Sequence, residues 1–103
     1  MQKIRIYWRD IPSQVMVKKG RKRGKVMLTE RFQAAIDRAA MRAGRGSSDA
    51  YMEDWRREYE EVEAGADMQA LANQDAALLE QEYSDERLDQ LIRSKGFESA
   101  EES

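Results

Sequence analysis

The chain has 103 residues, of which 41% are hydrophobic and 37% charged, with a formal net charge of -2 and neither cysteine nor histidine. The length suits one domain, since single cores are usually built from about 100 to 150 residues, and the charged share lies well above the usual quarter, so a modest core and a strongly ionic surface are expected. Without Cys and His the chain has no disulfide, thiolate or soft-metal chemistry and lacks the commonest general base, so no metal or other cofactor and no catalytic set is predicted.

The small net charge conceals a polarity. Residues 1–45 carry 13 Lys and Arg against three acids, a net of +10, whereas the remainder carries 5 against 17, a net of -12. Such halves bind a polyanion through the basic one, or attract each other. The opening MQKIRIYW has no apolar signal core, and no stretch approaches the roughly 18 apolar residues of a membrane span. A soluble, cytoplasmic protein with no membrane partner is expected.

Ile4 and Ile6 alternate with Lys3 and Arg5, which predicts a half-buried strand from Lys3 to Trp8. Pro12 cannot donate to a ladder, so the strand is expected to end near Arg9 or Asp10, with Ser13 continuing the turn. The apolar runs at Gln14 to Lys18 and Lys25 to Leu28 predict a hairpin whose loop of six residues uses Gly20 and Gly24 for positive φ. That geometry gathers Lys19, Arg21, Lys22, Arg23 and Lys25 at one exposed tip, beside Lys18.

Thr29 as N-cap, Glu30 in the first turn, and Phe32, Ala35, Ile36, Ala39, Ala40 and Ala43 at helical spacing predict an amphipathic helix stopped by Gly44. Ser47 or Ser48 caps a short helix through Trp55, with Tyr51, Met52 and Trp55 on one side. Residues 58–63 alternate weakly and predict a short edge strand, with continued helix as the open alternative. From Ala66 to Tyr83, the residues Met68, Leu71, Ala72, Leu78, Leu79 and Tyr83 mark one face of a helix. Ser84 caps another, with Leu88, Leu91 and Ile92 as its stripe, and the two together predict an αα-hairpin. The fold class is therefore α+β, a small antiparallel sheet packed by one amphipathic helix (residues 1–65) with a C-terminal helical pair (residues 66–97) and a disordered tail (residues 98–103).

The basic run is the strongest functional signal. Lys18, Lys19, Arg21, Lys22, Arg23 and Lys25 form a candidate partner-binding site, for a protein or for phosphates. A pI of about 5.3 and the lack of an aromatic residue within the run argue against nucleic acid. Tyr7, Trp8, Arg9 and Asp10 are residue types typical of recognition patches, but a local structural corner is the preferred reading. Glu58, Glu60, Glu61 and Glu63 lack the spacing of a calcium loop and read as a solvated acidic edge.

In the blocks YWRDIPSQVMVKKG, LTERFQAAIDRAAMRAG and SDAYMEDWRR the chain resembles the small bacterial "virulence factor" domain family, over roughly Ile6 to Ile92. Tyr7 to Pro12, Arg31-Phe32-Gln33 and Ile36 to Ala40 carry the specific part of the resemblance. It implies no activity and no catalytic residues. Members of the family stand alone or form the terminal domain of a larger conserved virulence factor. The stand-alone ones accompany folate- and corrinoid-dependent one-carbon enzymes, which implies an accessory role in methyl transfer. Glu58-Tyr59-Glu60 departs from the glycine and proline common there, which counts against the edge strand. Residues and resemblance together predict a non-catalytic accessory or regulatory protein-interaction module, with nucleic-acid binding through residues 18–25 as the alternative.

Overall fold

The computed structural model describes residues 1–98. In chain order the elements are β1 (Gln2–Trp8), β2 (Ile11–Lys19), β3 (Lys22–Met27), α1 (Glu30–Arg42), α2 (Ser48–Glu53), β4 (Trp55–Glu61), α3 (Met68–Glu82) and α4 (Asp85–Arg93). The four strands make one antiparallel sheet in the order β3-β2-β1-β4, so β1 is central and β4 closes the far edge. The α+β class follows.

Both hairpins are tighter than the sequence suggests. Trp8 pairs with Ile11, leaving only Arg9 and Asp10 to turn, and Arg9 takes φ 54°. Pro12 and Ser13 belong to β2 and not to the turn, because the register slips between Ile6 and Tyr7 and Ser13 is the extra residue of a bulge. Pro12 costs no ladder bond there, since the β2–β3 pairing ends at Gln14 and Met27. In the second hairpin Lys19 pairs with Lys22, so the turn is Gly20-Arg21 and not the expected loop of six. Gly20, at φ 59°, occupies the position that a two-residue turn reserves for glycine.

Gly24 does something other than turn the chain. It is a strand residue with no positive φ, and a Cβ there would lie 2.9 Å from the backbone of Gln69. The start of α3 thus rests directly on β3, and α3 runs across β2 and β3, while α1 packs on β2 and on α4. This differs from the expected αα-hairpin, since α3 takes the sheet as its main neighbour and α4 takes α1. It is α3, more than α1, that covers the sheet.

Trp8, Ile11, Val15, Val17, Phe32, Ile36, Leu79 and Leu91 form the centre of the core. Thr29 precedes α1, but its hydroxyl and amide bond the Glu80 carboxylate at 3.0 and 2.8 Å and do not cap α1. Arg31 donates to the carbonyls of Glu80 and Tyr83 at the end of α3, where cations suit the helix dipole. Ser84 caps α4 as predicted, accepting from the Arg87 amide. Residues 58–63 are in part strand, since β4 runs from Trp55 to Glu61 and α2 ends at Glu53, before Trp55. Leu78, assigned to the buried face of α3, is 51% exposed, and the buried polar residue of that helix is Asp75. Beyond Glu98 the expected disordered tail lies outside the described residues. Glu98 itself is held, its amide donating to Asp10 Oδ2 and its carboxylate accepting from Arg87.

Candidate functional site

Alternation along the strands sorts the side chains onto two faces. On the face toward α3 stand Lys3 and Arg5, with Val15, Val17, Gly24 and Val26. Charged residues face the helix layer because Asp75 awaits them, accepting from Arg5 Nε and Nη2 at 2.8 and 2.7 Å and from Lys3 Nζ at 3.2 Å. Burial works to raise the Asp75 carboxyl, but the hydrogen bonds from Arg5 and Lys3 outweigh it and hold the group below the ordinary aspartate value.

On the opposite face the register sets out three rows across all four strands, and a shorter fourth, Ile11, Trp8 and Trp55, at the end where Tyr51 stacks on Trp8. Lys25, Met16, Ile4 and Tyr59 form the middle row; Met27, Gln14, Ile6 and Arg57 lie on one side of it, and Arg23, Lys18, Gln2 and Glu61 on the other. None of the principal helix–strand packings of the described residues involves β1 or β4. Ile4 and Ile6 are still buried, at 3% and 7% exposure, on the central strand β1. Toward the edges Tyr59 and Met27 are 57% and 58% exposed. Among the described residues Lys18, Arg23, Lys25 and Arg57 enter no ion pair. At the Ile6 end the face dips into an open cleft of about 400 Å³, bordered by Tyr51, Met52, Trp55, Gln14 and Arg57.

The basic residues singled out in the sequence are therefore divided. Lys18, Arg23 and Lys25 stand on the uncovered face, Lys19 and Lys22 share the α3 side beyond its end, and Arg21 sits in the turn. The tip itself is thus smaller than expected. Sequence reasoning missed Met16, Met27, Arg57 and Tyr59; the signal for the last two was the alternation of residues 55–61, which sets Arg57 and Tyr59 on one side and Glu58 and Glu60 on the other.

Tyr7, Trp8, Arg9 and Asp10 form a structural junction. Trp8 is fully buried, stacks on Tyr51 at 6.0 Å and donates to the Tyr51 carbonyl at 2.9 Å. Arg9 lies over the Trp8 and Phe97 rings, donates to the Lys95 carbonyl at 2.7 Å and stands 3.2 Å from Asp54. Asp10 accepts from Arg56 and from the Glu98 amide. The corner thereby ties α2, β4 and residues 95–98 to the first hairpin.

Tyr7, Tyr83 and Glu80 are moved away from neutrality and not toward it. Burial pushes the Tyr7 phenol up and the Tyr83 phenol up to about 12. Glu80, despite a burial effect in the other direction, is drawn below its usual value by hydrogen bonds from Thr29 and Arg31. None of these groups is poised for general acid or base work near pH 7. Among the described residues no three potential metal ligands converge, and no helix is long and apolar enough to cross a membrane.

A family model described as "Virulence factor" matches residues 6–92. The chain belongs to the virulence factor family. The match begins near the end of β1 and ends one residue short of the end of α4, so it takes in β2, β3, β4 and α1 to α3 whole. No curated protein and no solved structure matches the chain.

Proposed function

We propose that this virulence factor domain is a non-catalytic accessory module of the cytoplasm that binds a protein through the sheet face opposite α3. The observation that carries the proposal is the face itself, where Met16, Met27 and Tyr59 surround a buried Ile4–Ile6 centre and four cations that enter no ion pair among the described residues stand around them. Tyr, Met and Arg are residue types enriched at protein interfaces, and an apolar centre with a charged rim is the usual anatomy of one. Nucleic acid is the less favoured occupant, because the two central strands present Ile4, Ile6, Met16 and Gln14 where a base-stacking sheet carries aromatic rings.

The test compares recovery of a native partner by the wild type, by a face variant (Met27→Glu with Tyr59→Glu) and by a helix-layer variant (Gln74→Glu with Gln81→Glu). Loss of a discrete partner in the face variant alone is the expected result. Loss in the helix-layer variant alone, with the face variant unaffected, would move the binding surface elsewhere.

A further inference from the structure

The geometry points to an acidic amphipathic helix as the segment that occupies this face, with carboxylates set against Lys18, Arg23, Lys25 and Arg57 and one apolar side chain lowered into the cleft beside α2. This rests on the reading of the face as a protein-binding surface and adds what binds there.

Charge complementarity is the first argument. Arg23 and Lys25 stand on the β3 edge with Lys18 beside them on β2, Arg57 stands on the β4 edge, and Glu61, at one corner, is the only acid among the three rows. The acidic side chains of β4 that could have answered them, Glu58 and Glu60, point to the other face, where they meet Arg56 and Lys3. A partner rich in carboxylates is thus favoured over a basic one, and the attraction acts mainly on the rate of encounter.

Dimensions are the second. Four strands about 4.8 Å apart span roughly 14 Å, and three rows of same-face residues span about 13 Å along the strands. A helix is about 10 to 12 Å across and rises 1.5 Å per residue, so two to three turns fill the face. Contact over so small an area lies below the roughly 800 Å² per partner of a standard interface, which suits a transient complex.

The cleft is the third. Ile6, Tyr51, Met52 and Trp55 supply its apolar walls and Gln14, Arg56 and Arg57 its polar ones, so it accepts a Leu or Phe side chain next to a carboxylate. Met16, Met27 and Met52 are unbranched and polarizable, and they repack around such an anchor.

The experiment titrates the isotopically labelled full chain with three probes and follows its amide shifts. Two are synthetic helical peptides of about 18 residues, roughly 27 Å long, sharing a Leu stripe at helical spacing and flanked by Glu in one and by Lys in the other. The third is a mixed-sequence single-stranded RNA. The Glu peptide is expected to bind at micromolar concentration and to shift Met16, Lys25, Met27, Tyr51, Arg57 and Tyr59. Replacing Lys18, Arg23, Lys25 and Arg57 together by Glu is expected to weaken the Glu peptide at least tenfold and to favour the Lys peptide. Replacement by Gln, which leaves the surface neutral, is expected to weaken the Glu peptide without that reversal. If the Lys peptide binds the wild-type face more tightly, the acidic partner is overturned while the surface stands as an interaction site. Shifts confined to α1 and α4, or no binding by either peptide, overturn the inference, the former together with the face itself. RNA binding tighter than that of the Glu peptide at physiological salt overturns it in favour of a nucleic acid.

Discussion

Replacing Gly24 by Ala tests the packing that leaves one sheet face covered and the other free. The added Cβ would lie 2.9 Å from Gln69 Cα and N and 3.0 Å from the Met68 carbonyl carbon, all backbone atoms, whereas ordinary contact begins near 3.4 Å. No rotamer change can relieve this, so the first turn of α3 must shift by about half an ångström. Overpacking of this kind costs about 1 to 3 kcal/mol, and the smaller entropy of the unfolded Ala chain returns about 0.4 to 1 kcal/mol. A net loss of about 1 to 2 kcal/mol lowers the melting temperature of a domain this size by roughly 5 to 15 °C. Gly65→Ala serves as the control, since nothing lies within 4 Å of a Cβ there and its φ is not positive; it is expected to be neutral or slightly stabilising. Thermal and urea unfolding of both variants give the answer. A Gly24→Ala protein that melts at or above the wild type would refute the argument that α3 rests on this glycine.

Further outcomes follow from the polar contacts. Asp75→Asn leaves Arg5 facing α3 without its counter-charge, while Lys3 keeps only the exposed Glu60, and a loss on the order of 3 kcal/mol is expected in urea unfolding. Because the folded Asp75 carboxyl titrates below its unfolded value, its contribution is complete above about pH 5 and fades as pH falls through 4 and below, so the wild type should lose stability on acidification more steeply than Asp75→Asn; parallel curves would contradict the pairing. Arg9→Ala removes the contacts to Lys95, Asp54, Trp8 and Phe97 while keeping φ 54°, whereas Arg9→Gly removes them and relieves the backbone. Both should melt below the wild type, with the Gly variant more stable than the Ala variant by about 1 kcal/mol, and equal melting would show that the turn stores no strain. Serine at Lys19, Arg21, Lys22 and Arg23 together should leave the melting temperature nearly unchanged, since among the described residues these side chains enter no ion pair, and a large drop would reveal a structural role for the tip.

Local signals in the sequence located α1, α3, α4 and β1 because periodicity and caps act within one element. They failed where the cause lies far along the chain. Gly24 reads as a turn residue beside Gly20, but its reason is the approach of Gln69, from a helix that begins 41 residues after the end of β3. Asp75 interrupts an apolar helix stripe and gives no local hint that Arg5 is its partner. The uncovered face was hidden for a related reason. Alternation shows that Ile4 and Ile6 share a side opposite Lys3 and Arg5, but not which side a helix covers, and the single extra residue at Ser13 sets how β2 continues past Tyr7. The corner at Tyr7 to Asp10 was legible as structural because adjacent aromatics in a strand must both find cover. Its link to residues 95–98 was not.

Site-specific photo-crosslinking in cells shows whether the virulence factor domain meets its partner on the face opposite α3. A photoreactive phenylalanine analogue is placed singly at Tyr59, at Met27 and at Gln81 on the outer side of α3, all exposed positions. A discrete protein adduct is expected from the probes at Tyr59 and Met27 and none from Gln81. An adduct formed only from Gln81, or nucleic acid captured by Tyr59 and Met27 in place of protein, would contradict a protein partner on that face.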